Sequence, residues 1–169
     1  MPDPGPRSVA RIVSLAGGEI IGRTRLQKIG CLLDLVGADS GFEFSYHIYG
    51  PYSEELSIAA TDADALDMIT VDERTAAWGG RYSVYRTTLE FPSTDPSIGN
   101  LARKGAQADS VALELAVTAA FLAANGHNDA WEEVAERKRI KATPEMMTKA
   151  KALYKEFQKI DAPGRLPAI

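Results

Sequence analysis

The chain has few of the residues from which reactive sites are built. Its 169 residues include one cysteine, Cys31, and two histidines, His47 and His127. A single cysteine excludes an intramolecular disulfide, which fits a reducing compartment. A zinc site needs about four nitrogen or sulfur ligands, or three ligands and a water, and the two histidines have no ligand spacing. We therefore expect no metal and no cofactor.

Long apolar runs are also missing. No segment approaches the roughly 18 apolar residues of a membrane helix. The opening residues, MPDPGPRSVARIV, lack the apolar core of a signal peptide. The composition, 45% hydrophobic and 25% charged residues, is ordinary for a soluble globular protein. We therefore expect a cytoplasmic protein that does not contact a membrane.

An excess of positive charge is missing as well. The net charge is −4, whereas nucleic-acid binders usually carry a basic excess, because phosphate contacts supply most of their non-specific affinity. This balance argues against DNA binding by the chain as a whole and leaves a local basic face open. The candidates for such a face are Arg23, Arg25, Lys28, Arg74, Arg81 and Arg86.

Apolar periodicity predicts two helices and a strand near the start of the chain. The helices cover residues 8–16 and 23–37. Thr24 and Gln27 match the T-x-x-Q capping box, which satisfies two free amides at a helix start. Strict alternation in FEFSYHIY, residues 42–49, predicts a half-buried strand.

A sharp corner follows this strand. Gly50-Pro51 is expected to end the strand. Ser53 is placed to cap a third helix, whose first turn holds Glu54 and Glu55, where carboxylates favour the positive helix end. The segment HIYGPYSEEL therefore predicts a rigid turn from strand to helix.

A β-hairpin closes the first part of the chain. Residues 68–72 and 81–89 are the predicted strands, and Gly79-Gly80 supplies the freedom for the turn. Trp78 at the tip is expected either to fold back on the core or to meet a partner. With a short strand at 19–21, the order of elements resembles a winged helix. The predicted fold class is α+β, mostly α, with a winged-helix-like domain over residues 7–91 that carries a small sheet and wing.

A helical subdomain is predicted after this domain. Residues 92–105 are rich in Pro, Ser and Gly, which predicts a connector and a domain boundary. The helical subdomain covers residues 104–160, while residues 1–6 and 161–169 are predicted to be loose tails. Small apolar residues on its first helix, 107–124, favour either a homodimer contact or burial inside the monomer.

No catalytic constellation emerges from the motifs. Cys31 lies in a core-like helix, where a buried cysteine is usually inert. The G-x-S-x-G elbow and both glycine-rich phosphate loops are absent. Hydrolysis by Ser53 with His47 is the third and weakest of three alternatives, because Ser53 suits a helix cap. We therefore expect a protein that is not an enzyme.

Two segments carry a family resemblance. GRTRLQKIGCLLDLVG followed by FEFSYHIYGPYSEELS resembles the YwgA-like group of small bacterial and archaeal proteins over about residues 20–70. The layout is similar, more weakly, to the Panacea (SocA-like) antitoxin domain, which implies regulatory contact with a protein, such as neutralising a toxin. Neither resemblance implies catalytic residues. The motif residues are Arg25, Leu26, Gln27, Lys28, Tyr49, Gly50, Pro51, Tyr52, Ser53, Glu55 and Leu56.

Two functions follow as expectations. The first is a non-enzymatic regulatory or adaptor module that binds another protein, antitoxin-like or defence-associated. Tyrosines on a rigid corner contact partners at low entropy cost, so the expected contacts are Tyr49, Gly50, Pro51, Tyr52 and Glu55. The alternative is a winged-helix DNA-binding regulator that uses its wing and basic patches, because five carboxylates in the third helix, SEELSIAATDADALD, would repel phosphates.

Overall fold

The computed structural model describes residues 5–48, 50–92 and 95–169. Over these ranges the chain forms seven helices and five short strands, which confirms an α+β fold that is mostly α. The helices are α1 (Pro6–Leu15), α2 (Arg23–Leu35), α3 (Glu54–Ala65), α4 (Pro96–Gln107), α5 (Ser110–Ala124), α6 (Ala130–Arg137) and α7 (Pro144–Gln158). The strands are β1 (Glu19–Ile21), β2 (Ser45–His47), β3 (Gly50–Tyr52), β4 (Thr70–Thr75) and β5 (Arg81–Arg86). None of the helices in these ranges is long and apolar enough to cross a membrane.

The central helix is α5, which is buried on nearly every side. Helices α2, α6 and α7 pack against it. A helix that is apolar all round is typical of a protein core. The small residues that favoured a dimer contact are mostly inside the monomer, as shown by the burial of Ala112, Ala116, Ala119 and Ala120.

The strands form two separate antiparallel sheets. The larger sheet has the order β1-β5-β4, so the predicted hairpin is confirmed and β1 joins its second strand. The smaller sheet pairs β2 with β3. The strand predicted over residues 42–49 is shorter in the structure, where β2 covers Ser45–His47 and ends before Gly50 as expected. Gly50-Pro51 was not predicted to start a new strand, but it begins β3, in which Pro51 lies opposite Tyr46. Strict alternation over residues 42–49 would place Ile48 on the same, buried face as Phe42, but Ile48 is 89% exposed.

The predicted connector is helical from Pro96 onward, where it forms α4, and residues 93 and 94 lie outside the described residues. Within α4, Ile98, Leu101 and Ala102 are buried, and the helix packs on α1 and α2. The prediction for 92–105 is wrong because Asp95 and Pro96 are a helix start: Asp95 accepts a hydrogen bond from the Ser97 amide at 3.0 Å, and proline at the first position loses no helical bond. A single core therefore runs from α1 to α7 and joins the two predicted parts.

The C-terminal tail is packed against the rest of the chain, so the prediction that it is loose is wrong. Leu166 is buried. The Gly164 amide donates a hydrogen bond to the Val36 carbonyl at 2.6 Å, and the Tyr154 hydroxyl donates to the Pro167 carbonyl at 2.5 Å. The tail has no periodic apolar pattern, so its attachment by one leucine and backbone contacts has little signal in the sequence.

The packing of α4 predicts a large effect of Leu101→Ala on stability. Leu101 is fully buried, so we expect its truncation to lower the free energy of unfolding by about 2–5 kcal/mol. Gln107→Ala, on the exposed side of the same helix, should change it by less than about 0.5 kcal/mol. Urea unfolding measures both, and equal small effects would contradict the packing of α4 into the core.

Candidate functional site

The RLQK and YGPYS motifs meet inside the protein. The Gln27 side chain is buried on α2, and its Nε2 donates to the Ser53 carbonyl at 2.9 Å. The Ser53 amide donates back to Gln27 Oε1 at 2.8 Å. The predicted Thr24–Gln27 capping box is therefore wrong: α2 begins after Gly22 without a side-chain cap, because Gln27 faces the interior.

Lys28 adds a second link between the motifs. Its side chain is 1% exposed, and its Nζ donates to the Pro51 carbonyl at 2.8 Å. The prediction that Lys28 contacts nucleic acid is wrong, because the ammonium points into the core instead of toward the exposed helix end. We call Gln27 and Lys28 the α2 clasp, since together they hold the backbone of Pro51 and Ser53 on α2.

A buried carboxylate balances the charge behind the clasp. Glu114 on α5 is buried and forms ion pairs with Lys138 Nζ at 3.2 Å and Lys141 Nζ at 2.9 Å. Burial lowers the pKa of Lys28 from its ordinary 10.5 to about 8, and the field of Glu114 opposes this shift. Burial also lowers the pKa of Lys138. The cluster therefore gathers three lysines around one carboxylate.

Gly50 allows the corner to approach α5 closely. Its φ is +89°, a conformation that glycine adopts without strain. A Cβ at this position would lie 2.6 Å from Thr118 Oγ1 and 3.6 Å from Lys138 Nζ. The buried Thr118 hydroxyl has no hydrogen-bond partner in the part of the chain that the structure describes. The glycine of the motif is thus required for packing.

Only part of the predicted partner surface is accessible. Gly50 and Pro51 are buried, so the prediction that they contact a partner is wrong; their role is to seat the corner on α2 and α5. Tyr52 is half-buried and Glu55 is exposed. Tyr49 lies outside the described residues.

The Ser53–His47 pair is not assembled. Ser53 is buried and its Oγ accepts a hydrogen bond from the Leu56 amide at 3.2 Å, which confirms the predicted helix cap. His47 Nε2 instead shares a hydrogen bond of 3.0 Å with Ser45 Oγ. Burial raises the pKa of the Cys31 thiol to about 12, so the thiolate is not formed near neutral pH. The described ranges contain no cluster of residues that suits a metal ion.

The outer face of α3 and the residue that caps its C-terminal end, Leu66, expose two large aliphatic side chains. Ile58 is 59% and Leu66 is 61% exposed. Residues spaced by three and four lie on one helix face, so Glu55, Ile58, Asp62 and Leu66 form one line, which we call the α3 stripe. Monomer packing does not account for this combination of aliphatic and acidic side chains.

The predicted basic residues do not form one face. Arg86 is paired with Glu19 at 2.7 Å and Asp72 at 3.3 Å. Arg25 donates to the carbonyls of Ala108 at 3.0 Å and Ile21 at 2.9 Å.

The strand register separates two of the remaining arginines. In the β4–β5 hairpin, Arg74 lies opposite Tyr82 and Arg81 lies opposite Thr75. Side chains alternate between the two faces of a strand, so Arg74 and Arg81 project from opposite faces. Arg23 and Arg81 border the same groove between α2 and the hairpin.

Comparison of the chain with family models, with curated proteins and with solved structures found no match. The YwgA-like and Panacea-like resemblances therefore stay predictions. Sequence reasoning missed the residues behind the motifs, Glu114, Thr118, Lys138 and Lys141. The only signal for them was Glu114 within an otherwise apolar helix, where a charged residue needs a buried partner.

The clasp predicts a pH-dependent contribution to stability from Lys28. Its pKa is about 8 when folded and near 10.5 when unfolded. Between pH 8 and pH 10.5 the unfolded chain binds more protons than the folded chain does. The contribution of Lys28 to the free energy of unfolding therefore rises with pH over this range and is lowest below pH 8. Relative to Lys28→Met, the wild type should gain roughly 1–2 kcal/mol between pH 7 and pH 9.5. Urea unfolding at each pH tests this, and a constant difference would contradict it.

The two links at Ser53 should differ in strength. Gln27→Ala leaves the buried Ser53 amide without a partner and removes one of the two hydrogen bonds to the Ser53 carbonyl, the other coming from the Ser57 amide. We therefore expect a loss of about 2–3 kcal/mol in the free energy of unfolding. Ser53→Ala removes one cap and should cost about 1 kcal/mol. Thermal and urea unfolding measure both losses, and a larger loss for Ser53→Ala would reverse the assigned roles.

Proposed function

We propose that the protein is a non-enzymatic regulatory or adaptor module that binds another protein through the α3 stripe. The observation that carries this proposal is the exposure of Ile58 and Leu66, 59% and 61%, on a helix face that is otherwise acidic. Exposed apolar side chains bordered by charge are typical of protein-binding surfaces. A complementary partner would offer an apolar groove with basic side chains at its rim.

The proposal treats the first part of the chain as winged-helix-like. The order α1, β1, α2, α3, β4, β5 and the sheet order β1-β5-β4 support this interpretation, with the β2–β3 hairpin as an insertion before α3. In such an arrangement α3 is the recognition helix. Because α3 carries carboxylates and no basic side chain, it suits a basic protein surface better than the phosphates of DNA.

The anchoring of α3 supports a recognition role. Its first turn is held by the Ser53 cap and, through Ser53, by the buried amide of Gln27. A helix fixed at its start presents its side chains with little entropy to lose on binding, which favours affinity. A toxin, which is the kind of partner that the Panacea-like resemblance implies, would bind the same stripe.

The dispersed basic residues make duplex DNA the weaker candidate. Lys28 is buried, Arg86 is paired with two carboxylates and Arg25 is bound to backbone carbonyls. A duplex-binding surface needs several cations that track the phosphates together. Of the candidate basic residues, Arg23, Arg25 and Arg81 border one groove, and Arg25 is already bound to the backbone carbonyls of Ala108 and Ile21.

Photo-crosslinking in the source cells tests the proposal. With Ile58 replaced by p-benzoylphenylalanine, we expect one discrete adduct, identified by mass spectrometry, because a specific partner covers this position. The same residue at exposed Gln107 is the matched control and should give no such adduct. Leu66→Asp in the Ile58-labelled protein should remove the adduct, since it places a charge in the apolar contact.

The outcomes distinguish the candidate partners. An adduct with another protein supports an adaptor, and an adduct of twice the chain mass identifies a second copy as the partner. Identical adducts at positions 58 and 107, or none at either, would contradict binding through the α3 stripe.

A further inference from the structure

A groove lies between the start of α2 and the β4–β5 hairpin. Its volume is about 700 Å³, and its walls include Arg23, Trp78, Arg81 and Ser110. Sites for small organic ligands typically have volumes of about 300–1,000 Å³. The groove is therefore large enough for a ligand of nucleotide size, and it is separate from the α2 clasp.

Trp78 forms an exposed aromatic platform at the rim. Its side chain is 83% exposed, although it belongs to a hairpin tip where polar residues are usual. The indole lies against the backbone of Gly80: a Cβ added to Gly80 would overlap the ring carbons. The indole thus occupies the space beside Gly80 that a side chain would need. The exposed part of the ring is available for stacking by another planar group.

Two unpaired guanidinium groups flank this platform. Arg23 and Arg81 are exposed, and neither makes a hydrogen bond or ion pair with a residue that the structure describes. Arg25, in the same wall, donates to the carbonyls of Ala108 and Ile21 and so stiffens the wall. Guanidinium groups bind phosphate oxygens with two hydrogen bonds at once.

The acidic member of the groove is already engaged. Glu73 accepts a hydrogen bond from the Ser83 hydroxyl at 2.6 Å. The strand register places Glu73 opposite Ser83, so this contact holds the carboxylate along the hairpin. Among the described residues, no ion pair joins Glu73 to Arg23 or Arg81, and neither arginine has another partner there. Both cations therefore remain open to an anion.

We propose that this groove binds a ligand that combines a planar base with a phosphate, with the base stacked on Trp78 and the phosphate held by Arg23 and Arg81. The ligand is either a free nucleotide or a single nucleic-acid strand, since both present this chemistry. Stacking of bases on aromatic side chains beside arginine is a common mode of single-strand binding. The inference is independent of the α3 stripe.

Fluorescence anisotropy tests the site with the full chain. The probes are a 5′-labelled twelve-residue oligothymidylate and labelled ATP, each at two salt concentrations. We expect at least one probe to bind, with affinity that falls as salt rises, because phosphate contacts release counterions. Trp78→Ala and the double variant Arg23→Gln, Arg81→Gln should each weaken binding about tenfold or more.

Matched variants separate stacking from charge. Gly80→Ala should displace the indole and weaken binding while every charge is retained, and the fluorescence of Trp78 should shift in the same variant. Arg74→Gln removes a cation from the opposite face of the hairpin and should change affinity less than about twofold. Thermal unfolding of each variant verifies that it is folded.

Each outcome decides the proposal. Binding of ATP supports a nucleotide site, and binding of the oligonucleotide alone supports a strand site. No binding of either probe at low salt overturns the proposal. If Trp78→Ala leaves the affinity for the probe unchanged, stacking on Trp78 is excluded. The same holds if inorganic phosphate displaces the probe as well as the unlabelled nucleotide does. Equal losses in Arg74→Gln and the double variant would show diffuse charge attraction instead of a groove site.

Discussion

Lys28 carries a positive charge into the core, and the surrounding structure is arranged to accept it. Its ammonium donates to the Pro51 carbonyl at 2.8 Å, while Glu114 supplies the opposing charge. A buried charge without such partners would cost several kcal/mol. The contacts of Lys28 therefore require the β2–β3 hairpin, α2 and α5 to lie together. Because α3 begins directly after β3, they also fix where α3 begins.

The motif residues that hold the fold together are different from the residues that are exposed for binding. The motif residues Gln27, Lys28, Gly50, Pro51 and Ser53 are all buried. They hold the corner, while the α3 stripe on the outer side of the helix remains exposed. The groove beside Trp78 is a second exposed feature, built by the β4–β5 hairpin and the start of α2. Two surfaces with different chemistry thus rest on one core.

The sequence predicts local features of this fold better than distant contacts. The Ser53 cap and the hairpin around Gly79-Gly80 follow from residue types at fixed offsets, and the structure confirms both. The same reasoning misplaced Lys28, because a lysine beside a helix start is usually solvated and its partner Glu114 is 86 positions away in the chain. The connector at 92–105 was misread because Asp-Pro marks both turns and helix starts. For the candidate site, the tyrosines of the YGPYS motif led to the prediction of a partner-binding surface. The burial of Gly50 and Pro51 depends on packing against α5, and local sequence patterns do not reveal a contact with such a distant helix.

The pKa of Lys28 tests the central claim most directly. Selective ¹³C labelling of lysine, with Lys28→Met to assign the signal, allows the titration of its Cε resonance by NMR. The structure predicts a pKa of about 8, because burial disfavours the charged form. In Glu114→Gln it should fall further, since the carboxylate raises it. A pKa near 10.5 in both proteins would contradict a buried Lys28 balanced by Glu114.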